Sequence, residues 1–133
     1  MIQIRHNVFE TNSSSVHSIT MCMKSDYDAW CNGEVWFLNR RLPKGKTSPF
    51  FTWDEVVEFL KSYEYGPSEK ALMDILELKE NNSTEFEEAL VEYDFYSLDS
   101  YEYYNSDYEH YCEEFTTPSG ERVVSFGYSG ASY

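Results

Sequence analysis

Between Lys79 and Arg122 there is no lysine or arginine, while residues 80–121 carry thirteen carboxylates. A segment without cations has nothing to set against phosphates, so direct nucleic-acid binding is excluded there. Cysteine is scarce as well. Cys22, Cys31 and Cys112 are odd in number and widely spaced, which excludes a disulfide framework and suits the reduced thiols of a cytosol. There is no C-x₂-C or H-x₃₋₅-H pair to suggest zinc, and His110-x-Cys112 stands alone. The six glycines are scattered and build no phosphate-cradling loop. The acidic stretch from Asp99 has Tyr104 and His110 where an EF-hand loop needs glycine and glutamate. No cofactor or metal is expected. No stretch approaches the roughly 18 apolar residues of a membrane span, and Arg5 and His6 precede any apolar run. The expectation is a soluble, cytoplasmic protein with no membrane partner.

What is present is aromatic and acidic. Of 133 residues, 41% are hydrophobic and 18% aromatic, enough for the core of one α+β domain spanning 1–133. Seven of the twelve tyrosines lie among the thirteen carboxylates, so this region is no disordered acidic tail, which would lack aromatics. Charge is divided unevenly. Residues 1–46 carry two more basic than acidic side chains, leaving −16 on residues 47–133 of a total of −14. Such a field repels nucleic acid and anionic membranes and steers basic partners inward.

Pattern predicts short N-terminal strands, three central helices and a C-terminal β-hairpin. Ile2–Arg5 and Val16–Met23 read as strands separated by a polar run, and Glu34–Leu38 as a third after the Asn32-Gly33 turn signal. Residues 39–51 read as a basic connector. Thr52 and Glu55 form a capping box ahead of Trp53, Val56, Val57, Leu60 and Tyr63 at helical spacing. Gly66-Pro67-Ser68 separates that helix from one carrying Leu72, Ile75, Leu76 and Lys79, and Thr84 with Glu87 suggests a second capping box before Phe86, Ala89, Leu90 and Tyr93. Residues 109–116 and 121–128 flank Thr117-Pro118-Ser119-Gly120, a hairpin turn.

On the third helix, the apolar stripe leaves Glu85, Glu88 and Glu92 on one flank and Glu87 with Asp94 on the other. Carboxylates three and four apart lie about 5–6 Å from each other and repel by a few tenths of a kcal/mol per pair, which folding alone does not require. A row so spaced is like the phosphate rows that DNA-binding proteins meet with Lys and Arg. The partner-binding candidates are therefore Glu85, Glu88, Glu92, Asp94, Asp99, Glu102, Asp107 and Glu109, with Tyr101 and Tyr104 as aromatic anchors of the kind enriched at binding hot spots. The tyrosines are not stacking platforms for bases, because such platforms come with a positive groove. Solubility is the alternative use of the acidity.

Arg5-His6-Asn7-Val8-Phe9-Glu10-Thr11-Asn12-Ser13-Ser14-Ser15-Val16-His17-Ser18 resembles an N-terminal signature, R-x-N-x-F-E-T-N-S-S-S-x-H-S, of small uncharacterised proteins of bacterial phages and mobile elements. That resemblance covers fourteen residues and implies provenance without a catalytic assignment. In size and charge the chain is also similar to the acidic anti-restriction and anti-CRISPR inhibitors. The resemblance implies an inhibitor, not an enzyme, that occupies the basic nucleic-acid-binding surface of a host defence nuclease. Within the same string, Ser15 and His17 share a face if extended, which leaves open a small enzyme built on Thr11–Ser18. The opposite reading is a loop tied down by its own short polar side chains.

Overall fold

The computed structural model describes residues 5–10, 15–82 and 84–131. Two antiparallel sheets and five helices occur among them. Strands β1 (Arg5–Glu10), β2 (Ser15–Met23), β6 (Glu109–Thr116) and β7 (Arg122–Ala131) make one sheet in the order β1-β2-β7-β6. Strands β3 (Trp36–Leu38), β4 (Phe50–Phe51) and β5 (Phe95–Tyr96) make the other, in the order β4-β3-β5. The helices are α1 (Lys24–Cys31), α2 (Trp53–Ser62), α3 (Glu69–Glu80), α4 (Thr84–Val91) and α5 (Leu98–Tyr104).

The small sheet packs against apolar groups on both faces, and its strands accordingly read as continuous apolar runs in place of alternation. Phe37 and Phe50 enter one core with Trp30, Cys22, Tyr101, Val124, Phe126 and Tyr128. Their neighbours Leu38 and Phe51 point the other way, into a second core with Val56, Leu60, Leu72, Ile75, Phe86, Leu90 and Phe95. The sheet is thus a partition. Helices α2, α3 and α4 close its second side, while the four-stranded sheet with α1 and α5 closes the first.

Trp30 is the centre of the first core. It is 1% exposed, its indole Nε1 donates to the Tyr96 carbonyl at 3.0 Å, and its ring lies 5.1–5.5 Å from those of Phe37, Phe50, Tyr101 and Phe126. On the far face of the large sheet, Tyr111 folds across Gly127 and donates to the Ser18 carbonyl at 2.8 Å. A β-carbon at Gly127 would stand 1.9 Å from that same carbonyl oxygen, so only glycine admits this approach of strands.

Several expectations match. Helix α2 begins at Thr52, whose hydroxyl accepts from the Glu55 amide at 3.3 Å while the Thr52 amide donates to Glu55 Oε1 at 3.0 Å. Partial burial opposes ionisation of Glu55, but the Thr52 amide and the Lys46 ammonium outweigh it and hold the carboxyl below its usual range. Thr52→Ala should lower stability by about 1 kcal/mol. Urea denaturation checks this, and an unchanged midpoint would show the cap to be idle. The hairpin β6–β7 also forms, with Gly120 at φ +89° in its turn.

Other expectations need correction. The three expected central helices form as α2, α3 and α4, and two further helices, α1 and α5, flank them. Helix α1 was not anticipated, because only Tyr27 and Trp30 mark its inner face and Met23 offers no side-chain cap. Asn32-Gly33 accordingly ends a helix, with the Gly33 amide donating to the Trp30 carbonyl and φ at +78°. Phe50–Phe51 is a strand within the expected connector. The first strand runs over Arg5–Glu10, through the run read as polar, because pairing with β2 from Arg5↔Met21 to Glu10↔Val16 overrides local composition. Most of the expected strand Ile2–Arg5 lies outside the described residues. Thr84 is the first residue of α4, so its capping position falls on Ser83, outside the described residues.

Candidate acidic interface

Phe86 and Leu90 bury themselves in the second core, which turns Glu85 and Glu88 of α4 outward. The helix ends at Val91, and Glu92 is exposed in the turn that follows. Asp94 does not continue this flank. Its backbone is left-handed at φ +66°, its carbonyl accepts from the Asn39 amide at 2.9 Å, and its carboxylate pairs with Arg40 at 3.7 Å. Partial burial raises the Asp94 carboxyl above its usual range, with Arg40 opposing. Asp94 therefore links the turn after α4 to the Asn39–Arg40 segment, with its carboxylate still partly exposed.

Glu87 is also structural. It accepts a short hydrogen bond from the Ser97 hydroxyl, and Ser97 in turn caps α5 by accepting from the Ser100 amide at 3.1 Å. The cap uses serine at its third position in place of Glu or Gln, so it carries no capping-box signal in the usual residue types. Helix α5 turns Asp99 and Glu102 to solvent. It also buries Tyr101 to 3% exposure, in ring contact with Trp30, Phe37, Phe126 and Tyr128, so Tyr101 cannot anchor a partner on the surface. Burial raises its phenol far above the ordinary range. The exposed tyrosines of α5 are Tyr104 at 47% and, outside the sequence candidates, Tyr103 at 74%. Helical spacing from Leu98 and Tyr101 would have found Tyr103, had the helix been recognised.

Asp107 lies in the turn after α5, and Glu109 opens β6; both are exposed. The His110 Nε2 atom pairs with the Asn105 carbonyl at 2.8 Å and ties that turn to the strand. The segment α5–turn–β6 therefore presents Asp99, Glu102, Asp107 and Glu109 in succession, while α4, joined to it through Glu87 and Ser97, and the turn after it present Glu85, Glu88 and Glu92. Among the described residues no ion pair reaches Glu88, Glu92, Asp99, Glu102, Asp107 or Glu109. Glu114 is different. Arg122 and Lys24 both pair with it, the latter at 3.7 Å.

Of the other sequence candidates, Thr11–Ser14 lie outside the described residues, Ser15 and His17 stand two apart on the extended strand β2, His17 is exposed and Ser18 is buried. Cys22 is fully buried, and burial pushes its thiol up to about 12, which makes it inert. Cys31 and Cys112 are exposed. Among the described residues no three His, Cys, Asp or Glu side chains converge as a metal set would, and no helix is long and apolar enough to cross a membrane. Comparison with protein-family models, curated proteins and solved structures finds no match.

Proposed function

We propose that this protein is an inhibitor, acting in a bacterial cytosol, that occupies the basic nucleic-acid-binding surface of a host defence nuclease, a CRISPR effector or a restriction enzyme. The observation that carries this reading is the set of six exposed carboxylates, Glu88, Glu92, Asp99, Glu102, Asp107 and Glu109, which no ion pair reaches among the described residues. Carboxylates left without cations repel one another, and a cationic surface that meets them relieves that repulsion. Lys and Arg that would otherwise hold phosphates pair with these groups, and Tyr103 and Tyr104 supply contact area beside them. The mechanism is competition for one surface. It needs neither a bound cofactor nor a chemical step.

The test is capture of binding proteins from bacterial lysate on the immobilised chain, with elution by duplex DNA. The expected result is a nuclease that DNA displaces and that binds less tightly as salt rises. The variant carrying Glu88→Gln, Glu92→Gln, Asp99→Asn and Glu102→Gln should bind it about tenfold to a hundredfold more weakly while folding normally. A captured protein that holds DNA and this chain together, or binds the variant equally well, would overturn the reading.

A further inference from the structure

Helix α1 lies along the edge strand β6 and runs against its direction. At the start of the helix Lys24 pairs with Glu114 at 3.7 Å, and one turn on, the Tyr27 ring stands 5.5 Å from that of Phe126, which is opposite Cys112 in the strand register. Cys112 and Glu114 are two apart on β6 and share a face of the sheet, while Lys24, Tyr27 and Cys31 share a face of α1 at spacings of three and four. The end of α1 and the middle of β6 therefore bring Cys31 and Cys112 to one seam, although they are far apart in sequence. Both are exposed. The Tyr27 hydroxyl is a hydrogen-bond partner of each thiol. Burial pushes the Cys31 thiol up, and the hydrogen bond from Tyr27 opposes that.

Cys22 takes no part, since it is fully buried and its thiol is pushed up to about 12. Nor does any third His, Cys, Asp or Glu join the pair to complete a metal set among the described residues. Two accessible thiols that share one hydrogen-bond donor are placed for two-electron oxidation, because the second resolves the first before it is oxidised further. We propose that Cys31 and Cys112 form a reactive dithiol that a hydroperoxide converts to a reversible disulfide. One thiol gives up its proton, and its sulfur attacks a peroxide oxygen; an S–O bond forms, the O–O bond breaks, and the hydroxide released takes that proton and leaves as water. The sulfur of the other cysteine then attacks the sulfenic sulfur. An S–S bond forms as the S–O bond breaks, and a second water carries off the remaining thiol proton. The two sulfurs thus lose two electrons, and the peroxide is reduced to two waters. Cys31 is the last residue of α1, where a helix frays most readily, which lets the sulfurs close to bonding distance. The bond ties α1, and with it Trp30 beside Cys31, to β6. In a reducing cytosol a bond of this kind is transient and serves as a redox sensor. The assignment stands apart from the nuclease reading, because it is tested with no partner present.

The experiment treats the reduced, dilute protein with hydrogen peroxide, alkylates the remaining thiols after unfolding, and reads intact mass and disulfide-linked peptides by mass spectrometry. The expected product is a monomer that has lost two hydrogens and takes up one alkyl group, at Cys22, in place of three, with Cys31 joined to Cys112. In the folded protein this pairing should outnumber the other two by about tenfold or more, because the fold raises the effective concentration of one thiol at the other. In concentrated urea, where the seam is dissolved, that preference should vanish. Dithiothreitol should restore both thiols, and Cys31→Ser or Cys112→Ser should abolish the internal bond. A disulfide-linked dimer in place of the monomer, a bond to Cys22, oxidation of single cysteines to sulfinic acid with no internal bond, or the same pairing in urea as in the folded protein would overturn the proposal. The peptide map of the unsubstituted chain decides the matter even if a variant fails to fold.

Discussion

Trp30→Ala should cost about 4 kcal/mol, within the range for truncating a fully buried aromatic side chain. The ring touches both the small sheet, through Phe37 and Phe50, and the large one, through Phe126, so its loss opens a cavity where the two sheets are cemented. The Tyr96 carbonyl also loses its indole donor. Denaturant unfolding followed by circular dichroism measures the loss. Trp30→Phe, which retains ring packing but not the hydrogen bond, should recover more than half of it. A Trp30→Ala protein within about 1 kcal/mol of the parent would mean that the two sheets are held together by something else.

Gly127→Ala should be nearly as damaging, although it adds a single carbon. Its β-carbon would stand 1.9 Å from the Ser18 carbonyl oxygen and 2.7 Å from the Tyr111 hydroxyl, and the first of these is backbone that cannot swing aside. Relief requires β2 and β7 to separate, and separation sacrifices the Tyr111 hydrogen bond to Ser18. Overpacking and the lost bond together amount to about 3 kcal/mol. A thermal melt about 10 °C below the parent is expected. Tyr111→Phe is the control, since it removes the bond without crowding and should cost only about 1 kcal/mol. If Gly127→Ala melts with the parent, the strands do not approach as described.

The difference between what the sequence disclosed and what it hid follows from where each signal resides. Helix α2 was readable because its cap, Thr52 and Glu55, and its stripe, Val56 and Leu60, are all local. The β6–β7 hairpin was readable for the same reason, through Pro118 and Gly120. Helices α1 and α5 were not, since Trp30 and Tyr101 become inward markers only once Phe126 and Phe37 are brought from distant parts of the chain. The candidate interface divides along the same line. Exposure of Glu88 follows from the period of its own helix, whereas the diversion of Asp94 to Arg40 and the burial of Tyr101 are tertiary events with no local trace.

The register of β2 with β7 has a consequence for how the molecule is made. Its pairs run from Met23↔Val123 to Ser15↔Ala131, so partners stand at least a hundred positions apart. The small sheet and its helices, from Trp36 to Tyr96, need no residue beyond that interval to pair or to build the second core. During synthesis the interior of the chain can therefore consolidate first, whereas β1 and β2, by themselves a two-stranded hairpin of marginal stability, gain their third strand only when β7 emerges. That strand is among the last described residues to emerge. Closure of so long a loop carries an entropic cost that local pairing does not.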